Sequence, residues 1–296
     1  MSDGSMASAG SVPIKNIVLV GRAGNGKSAT GNSLIRQQMF TSGAQATGVT
    51  MTCQTFRAVT EDLHRHRQII NVIDTPGLFD LSKPVEYISK EIVRCLALVD
   101  EGLHAVVLVL SVRTRMTQEE ESVVTTLQSL FGAKILDYLI IVFTGGDELE
   151  ANNQTLDAYL STCPEFLTRI FTLCGNRKVL FNNRTVDADK KDRQIQQLLA
   201  HVAAIGNNNA GRPFTEEMHR QIKEETKKLR EAEARYSEKA EKRLVKQSYD
   251  RKMEEMAIMV EETIKDAWKA HQRMMRVMEN MVPRREQDPK VSCNIM

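Results

Sequence analysis

The apolar run Ile17-Val18-Leu19-Val20 leads directly into Gly21-Arg22-Ala23-Gly24-Asn25-Gly26-Lys27-Ser28, which has the form G-x-x-x-x-G-K-[ST]. A loop of this form needs a strand to feed it and a helix N-terminus to receive it, so it commits the surrounding chain to a strand-loop-helix unit. The glycines let consecutive backbone N–H groups curl around a polyphosphate, and the helix that follows adds the positive end of its dipole. Gly21, Arg22, Ala23, Gly24, Asn25, Gly26, Lys27, Ser28 and Ala29 are the candidate phosphate-binding residues. Lys27 can reach the terminal phosphate oxygens and is also a candidate catalytic residue, while Ser28 can ligate the Mg²⁺ that accompanies a nucleoside triphosphate.

A second motif, Asp74-Thr75-Pro76-Gly77, closes the apolar run Ile69-Ile70-Asn71-Val72-Ile73. An aspartate at the end of a buried strand can hold Mg²⁺ through a water, and the Gly77 N–H can bond a γ-phosphate. Loss of that phosphate would release the bond, so the pair of motifs predicts a nucleotide-dependent switch. Between them lies Thr47-Gly48-Val49-Thr50-Met51-Thr52. Thr50 is the candidate threonine ligand there, with Thr47 and Thr52 as rivals, which makes Ser28, Thr50 and Asp74 the expected metal set. Thr144-Gly145-Gly146-Asp147 follows the strand ending at Phe143, in the place of the guanine-reading N-K-x-D. Asp147 could accept from the guanine N1 and N2 protons, a donor pair that adenine lacks. Thr144 belongs to the same loop, and Asn182 and Asn183 in Phe181-Asn182-Asn183-Arg184 are candidate contacts from the other side.

Short β-branched runs alternate with helical patterns over residues 14–206, as in a mostly parallel α/β sheet flanked by helices. Strands are expected at Asn16–Val20, Thr55–Val59, Gln68–Ile73, Ala105–Leu110, Leu139–Phe143 and Lys178–Phe181. The expected fold class is therefore a P-loop G domain at 14–206, with a flexible tail at 1–13 and a breaker-rich linker at 207–213. A helical, coiled-coil-like extension occupies 214–282, free of Gly and Pro from Thr215 to Val282. Its acid–base pairs at i,i+4, such as Glu224/Lys228, support helix. Ile222, Leu229 and Tyr236 repeat at seven, yet Glu225, Ala232 and Lys239 thin the seam, so a solvated helix touching the globular domain competes with a dimer rod. Seven of the 14 methionines fall between Met253 and Met281 around Trp268; packing of the last helix onto its neighbour is preferred over an adaptable partner surface.

Forty Lys+Arg against 38 Asp+Glu give a formal charge of +2, which offers no footprint for nucleic acid. The five cysteines form no C-x-x-C pair, which argues against a zinc site or a disulfide framework and for a reducing, cytoplasmic setting. No apolar stretch is long enough to span a membrane. Residues 283–296 are read as a flexible tail ending in Cys293-Asn294-Ile295-Met296, the C-a-a-X form that recruits a farnesyl group, so attachment through Cys293 to the cytosolic face of an intracellular membrane is an expectation. His104 and the His64/His66 pair have no acid or metal partner at diagnostic spacing and are read as structural or exposed.

The ordered blocks G-R-x-G-N-G-K-S-A-T-G-N-S, G-V-T-M-T-C, D-T-P-G-L-F-D, Gly102 to Val109, Arg115-Met116-Thr117 with Glu119-Glu120, F-T-G-G-D-E-L and F-N-N-R resemble the immunity-associated nucleotide-binding proteins, the GIMAP or IAN family. The T-G-G-D form looks like its plant branch, and the resemblance runs over about 14–206. It implies a GTPase domain related to septins and chloroplast-import receptors, binding GTP/GDP and Mg²⁺ and associating face to face as a nucleotide-dependent homodimer. It also implies Arg115 as a catalytic arginine acting across that dimer, with Arg113 as a rival and pairing to Glu119 or Glu120 as the alternative role. Gly145-Gly146 departs from the Arg-Lys of vertebrate relatives, which bears on base affinity. Many small GTPases orient water with a Gln where this chain has Leu78, so slow hydrolysis is expected unless an arginine enters in trans, an effect worth about 10³–10⁵ in rate. A GTP-dependent switch in immune or stress signalling is the leading expectation. A nucleotide-loaded scaffold and an ATP-using P-loop enzyme are the alternatives.

Overall fold

The structure, a computed structural model, describes residues 12–42, 50, 52–61, 67–77, 83–99, 101–116, 118–215, 217–235 and 239–281. Its centre is a six-stranded sheet in the order β2-β3-β1-β4-β5-β6. The strands are β1 (Ile14–Val20), β2 (Gln54–Glu61), β3 (Arg67–Asp74), β4 (Ala105–Ser111), β5 (Leu139–Thr144) and β6 (Lys178–Phe181). All neighbours run parallel except β2, which pairs antiparallel with β3. The sequence pattern explains this placement. β4 and β5 are buried at every residue, as continuous apolar runs covered on both faces must be, while β2 alternates toward solvent as an edge strand does. Most strands run one or two residues beyond their expected limits, because backbone pairing continues past the apolar stretch that reveals it.

The helices α1 (Lys27–Ile35), α2 (Val85–Ala97), α3 (Gln118–Phe131), α4 (Gly146–Ala151), α5 (Leu156–Leu160), α6 (Glu165–Leu173) and α7 (Ala188–Asn208) surround the sheet. Among the described residues, side-chain caps start α5, where Thr155 accepts from the Ala158 N–H, and α7, where Asp187 accepts from the Lys190 N–H. β1, β3, β4 and β5 present their carboxyl ends on one edge, and the loops from those ends carry Gly21–Ser28, Asp74–Gly77, Arg113–Arg115 and Thr144–Asp147. That edge is where an open α/β sheet binds ligands.

After α7 the chain returns to the opposite edge, where Leu103 and Phe214 exchange backbone hydrogen bonds at 2.9 and 2.7 Å. The Phe214 ring packs edge-on against Phe131 and Tyr138. Two more helices follow, α8 (Glu217–Arg235) and α9 (Lys239–Met281). α9 lies along α2 and α3, and α8 packs on α2 and α9. Met256, Val260, Ile264, Ala267 and His271 recur at helical spacing on one buried face of α9, and Ile222 of α8 is completely buried with them. The indole of Trp268 donates to the Thr126 hydroxyl at 3.2 Å, and Lys90 pairs with Glu254 at 3.1 Å. Ile222, the first heptad position, therefore faces the globular domain; the side chains of Leu229 and Tyr236 lie outside the described residues. Met256 and half-buried Met253 serve packing, whereas Met259 and Met274 face outward.

A polar network holds the amino end of the sheet. The Asn16 N–H donates to His104 Nδ1 at 3.0 Å, and the Asn16 side chain joins Gly102 and Asn71. Burial, with the nearby charge of Lys15, pushes the His104 pKa down to about 4. Elsewhere Cys53 and Cys95 are buried free thiols, and the Cys53 thiol is pushed well up by its hydrogen bond with Cys95 and by burial.

Two measurements test this packing. Ile264→Ala should lower the stability of the whole molecule by about 2–5 kcal/mol in urea unfolding, the usual cost of truncating a buried isoleucine. A sheet-domain transition that does not shift would mean α9 is an independent appendage. Above about pH 6.5 His104 is neutral in both folded and unfolded chains and adds no pH dependence; between about 6.5 and 4 only the unfolded state binds the proton, so stability drops as pH is lowered through that window. His104→Asn, which keeps an acceptor but cannot titrate, should flatten that slope relative to the parent; an identical slope would refute the assignment.

Candidate functional site

The loop from Gly21 to Gly26 curls between β1 and α1 through backbone that only glycine adopts with ease. Gly21, Gly24 and Gly26 have φ of 138°, 83° and 91°. At Gly21 a Cβ would collide with the Val109 carbonyl oxygen, and at Gly26 it would meet the Thr144 methyl at 3.2 Å. The loop is fastened to two central strands. Asn25 Nδ2 donates to the Val109 carbonyl at 3.0 Å, and the Thr144 hydroxyl lies 2.7 Å from the Asn25 carbonyl. Lys27 folds back along the loop, its ammonium donating to the Gly21 and Arg22 carbonyls at 3.1 and 2.9 Å. An arriving polyanion can take over those donors without moving the backbone.

Below the loop three oxygen side chains converge. Ser28 donates to Asp74 Oδ2 at 2.6 Å, and Thr50 lies 3.0 Å from Ser28 and 3.3 Å from the same carboxylate oxygen. Asp74 is fully buried, and its Oδ1 has no hydrogen-bond partner among the described residues. Burial raises its pKa, against the Ser28 hydrogen bond and the Lys27 charge. An unsatisfied buried carboxylate oxygen costs about 1–3 kcal/mol or more. Two hydroxyls and a carboxylate are the hard oxygen donors that Mg²⁺ prefers, and the lone Oδ1 supplies the charge such an ion needs, so the residues fit the metal. Thr75 instead donates to the Leu19 carbonyl at 2.7 Å and pins the strand end. Gly77 is half-buried at the limit of the described segment, while Thr47 and Leu78 lie outside the described residues.

On the far side, Gly145 has φ 86° and precedes α4, whose first turn carries Asp147. The Asp147 carboxylate is ion-paired to Arg113 and sits 3.7 Å from Arg184. Asn182 packs on Gly146, its backbone N–H bonding Gln194 at 2.6 Å and its side chain bonding the Arg184 N–H at 3.0 Å. Asn183 is placed differently, because it bridges the hydroxyls of Thr30 and Ser33 on α1 at 3.1 and 2.9 Å. Asn182 thus adjoins the Asp147 loop, and Asn183 braces the β6–α7 loop against α1.

Of the two candidate arginines, Arg113 is engaged by Asp147, and exposed Arg115 forms no ion pair among the described residues. Pairing of Arg115 with Glu120 is not observed: Glu120 is buried and binds Arg22 of the phosphate loop at 3.2 Å. The Glu119 side chain lies outside the described residues, as does Cys293. Three contacts were not anticipated from sequence, namely Arg22–Glu120, Asn25–Val109 and Arg113–Asp147. The first two join residues more than eighty positions apart with no periodic signal; the bare pair Gly145-Gly146 was the available hint for the third. No described helix is long and apolar enough to cross a membrane.

The family model described as "AIG1 family" matches residues 15–233. Immune-associated nucleotide-binding protein 4 of Arabidopsis thaliana is 56% identical over 274 residues, covering 90% of this chain and 83% of that protein. Immune-associated nucleotide-binding protein 5 of the same plant is 51% identical over 294 residues, covering 96% and 94%. Among solved structures, Toc33 from Arabidopsis thaliana in complex with GDP and Mg²⁺ aligns with TM-score 0.48 at 19% identity, over 67% of this chain and 86% of that one.

Gly21→Ala should strain both the positive φ and the contact with Val109, lowering the thermal midpoint through a loss on the order of 1–3 kcal/mol. An unchanged midpoint would show that the loop relaxes freely and is not held by β4.

Proposed function

The chain belongs to the AIG1 family, and from that premise we propose that it is a GTP-binding switch protein with slow intrinsic hydrolysis that rises when two G domains meet. The observation that carries this reading is the convergence of Ser28 and Thr50 on Oδ2 of Asp74, whose Oδ1 has no partner among the described residues, beneath the loop Gly21–Ser28. The relatives' name, nucleotide-binding, agrees with it. The loop N–H groups and Lys27 would hold the phosphates, and Ser28, Thr50 and Asp74 would hold Mg²⁺. Bound there, Mg²⁺ would neutralise charge on the phosphate oxygens. Gly77 would respond to the γ-phosphate through its N–H. Asp147 would accept from the guanine N1 and N2 protons, with Thr144 and Asn182 shaping the loop around it and Asn183 acting as a brace.

Leu78 cannot orient a water, so turnover in the monomer would be slow. Arg115 suits an arginine supplied to a second copy: it is exposed, and its neighbour Arg113 is already engaged. The scaffold alternative draws on the same Leu78, since bound GTP that is never cleaved would leave a permanently loaded protein. Membrane attachment through Cys293 and a role in immune or stress responses rest on the C-a-a-X form and on the family resemblance.

Competition binding should favour GTP over ATP by about 10²-fold or more, as expected where a site pairs a carboxylate with base donors, and Asp147→Ala should erase most of that preference. Equal affinity for both nucleotides in the parent protein would overturn the guanine assignment. Turnover per monomer should rise with protein concentration and lose the rise in Arg115→Ala. A flat profile would remove the dimer step, and no turnover at any concentration would favour the scaffold.

A further inference from the structure

The T-G-G-D loop offers no side chain of its own to hold Asp147. Gly145 and Gly146 are bare, and the carboxylate stands on the first turn of a six-residue helix with about a third of its side chain exposed. The space above Gly145 is nevertheless filled. A Cβ there would lie 2.9 Å from Val112 Cγ2, 3.3 Å from Arg113 Cγ and 3.7 Å from Arg113 Cζ. The Arg113 side chain, sent from the loop after β4, therefore runs across the glycine and ends on Asp147 Oδ2. Its own start is fixed, because the Arg113 N–H donates to the Ser111 hydroxyl at 3.2 Å and the Val112 N–H to the Thr144 carbonyl at 3.0 Å. Arg184 approaches the same oxygen from the β6–α7 loop at 3.7 Å.

We propose that Arg113 is a specificity-determining positioning residue, which sets the orientation of Asp147 for reading a guanine base in place of a side chain within the T-G-G-D loop. The inference rests on the reading of Asp147 as the base acceptor. Both arginines use Oδ2, so the carboxylate is held at one oxygen while Oδ1 stays available to a donor on the base. A planar guanidinium fixes the carboxylate plane in a way that a point charge does not. Gly145 is part of the same device, since any larger residue there would displace the arginine stem. The two neighbouring arginines thereby separate in role: Arg113 acts within its own subunit, and Arg115 is left to face outward.

A positioning role predicts a change in base selectivity rather than in phosphate binding. In the full-length protein, fluorescent-nucleotide competition should give a GDP-to-ADP affinity ratio about tenfold or more lower in Arg113→Ala, because losing a charge-assisted hydrogen bond of roughly 1.5–3 kcal/mol frees the carboxylate. ADP affinity itself should stay near the parent value. Arg113→Lys should restore the ratio only in part, and Arg113→Met, which keeps a stem but no donor, serves if the alanine variant misfolds. A ratio unchanged in folded Arg113→Ala or Arg113→Met, while Asp147→Ala lowers it, would overturn the role of Arg113 alone. A ratio unchanged in Asp147→Ala would overturn the base-acceptor reading and this inference with it.

Discussion

The phosphate loop keeps its form because its polar backbone is tied to the ends of two strands that cannot move. β4 and β5 are buried along their whole length, and their carbonyls and hydroxyls at Val109 and Thr144 grip Asn25 at the apex of the loop. The loop inherits the rigidity of the core, so its N–H groups stand ready without being ordered by a ligand, which removes an entropic penalty from binding. The same constraint accounts for Gly21 and Gly26, where a Cβ would meet Val109 and Thr144, while Gly24 lies in open space and turns through positive φ alone. Lys27 completes the arrangement by spending its ammonium on the loop's own carbonyls, where a phosphate can later compete.

The C-terminal helices solve a different problem. α2 buries Ile88, Ile92, Val93 and Leu96, and α9 covers α2 and α3 with a stripe of Met256, Val260, Ile264 and Ala267. The charged residues that dominate α8 and α9 occupy the remaining circumference, where exposed i,i+3 and i,i+4 pairs contribute little to stability. Among the described residues the extension is joined to the sheet domain by one apolar stripe, the Trp268–Thr126 hydrogen bond, the strand-like contact at Leu103 and Phe214 and the exposed Lys90–Glu254 pair, while the ion pairs within α8 and α9 add little.

Legibility in the sequence followed the range of the interactions. β4 and β5 were plain because a doubly buried strand is a continuous apolar run, and the meeting of Ser28 with Asp74 follows from short motifs at strand ends that carry their geometry with them. The helical extension was legible as helix but not as to its partner: Ile222, Leu229 and Tyr236 suggested a seam, yet which surface covers Ile222 depends on residues more than a hundred positions away. Ion pairs were legible only in part. Glu224 does meet Lys228 at i,i+4, while Arg220 pairs with Glu217 at i,i+3, a spacing the i,i+4 pattern did not name. Glu120 answers to Arg22, ninety-eight residues earlier, because a buried carboxylate takes whichever cation the fold delivers.

Asp74 and Asp147 show how the fold gives two carboxylates opposite electrostatic settings. Asp74 is buried, accepts two hydroxyls on one oxygen and has no partner for the other among the described residues, so a compact cation or a proton would lower its burial cost. Asp147 is partly solvated and already flanked by two guanidinium groups, so its charge is compensated and it has little need of a metal. Both guanidinium groups address Oδ2, and among the described residues no hydrogen bond reaches Oδ1. The local balance of burial and compensation thus leaves an undercompensated carboxylate beside Ser28 and Thr50 and a compensated one at the start of α4.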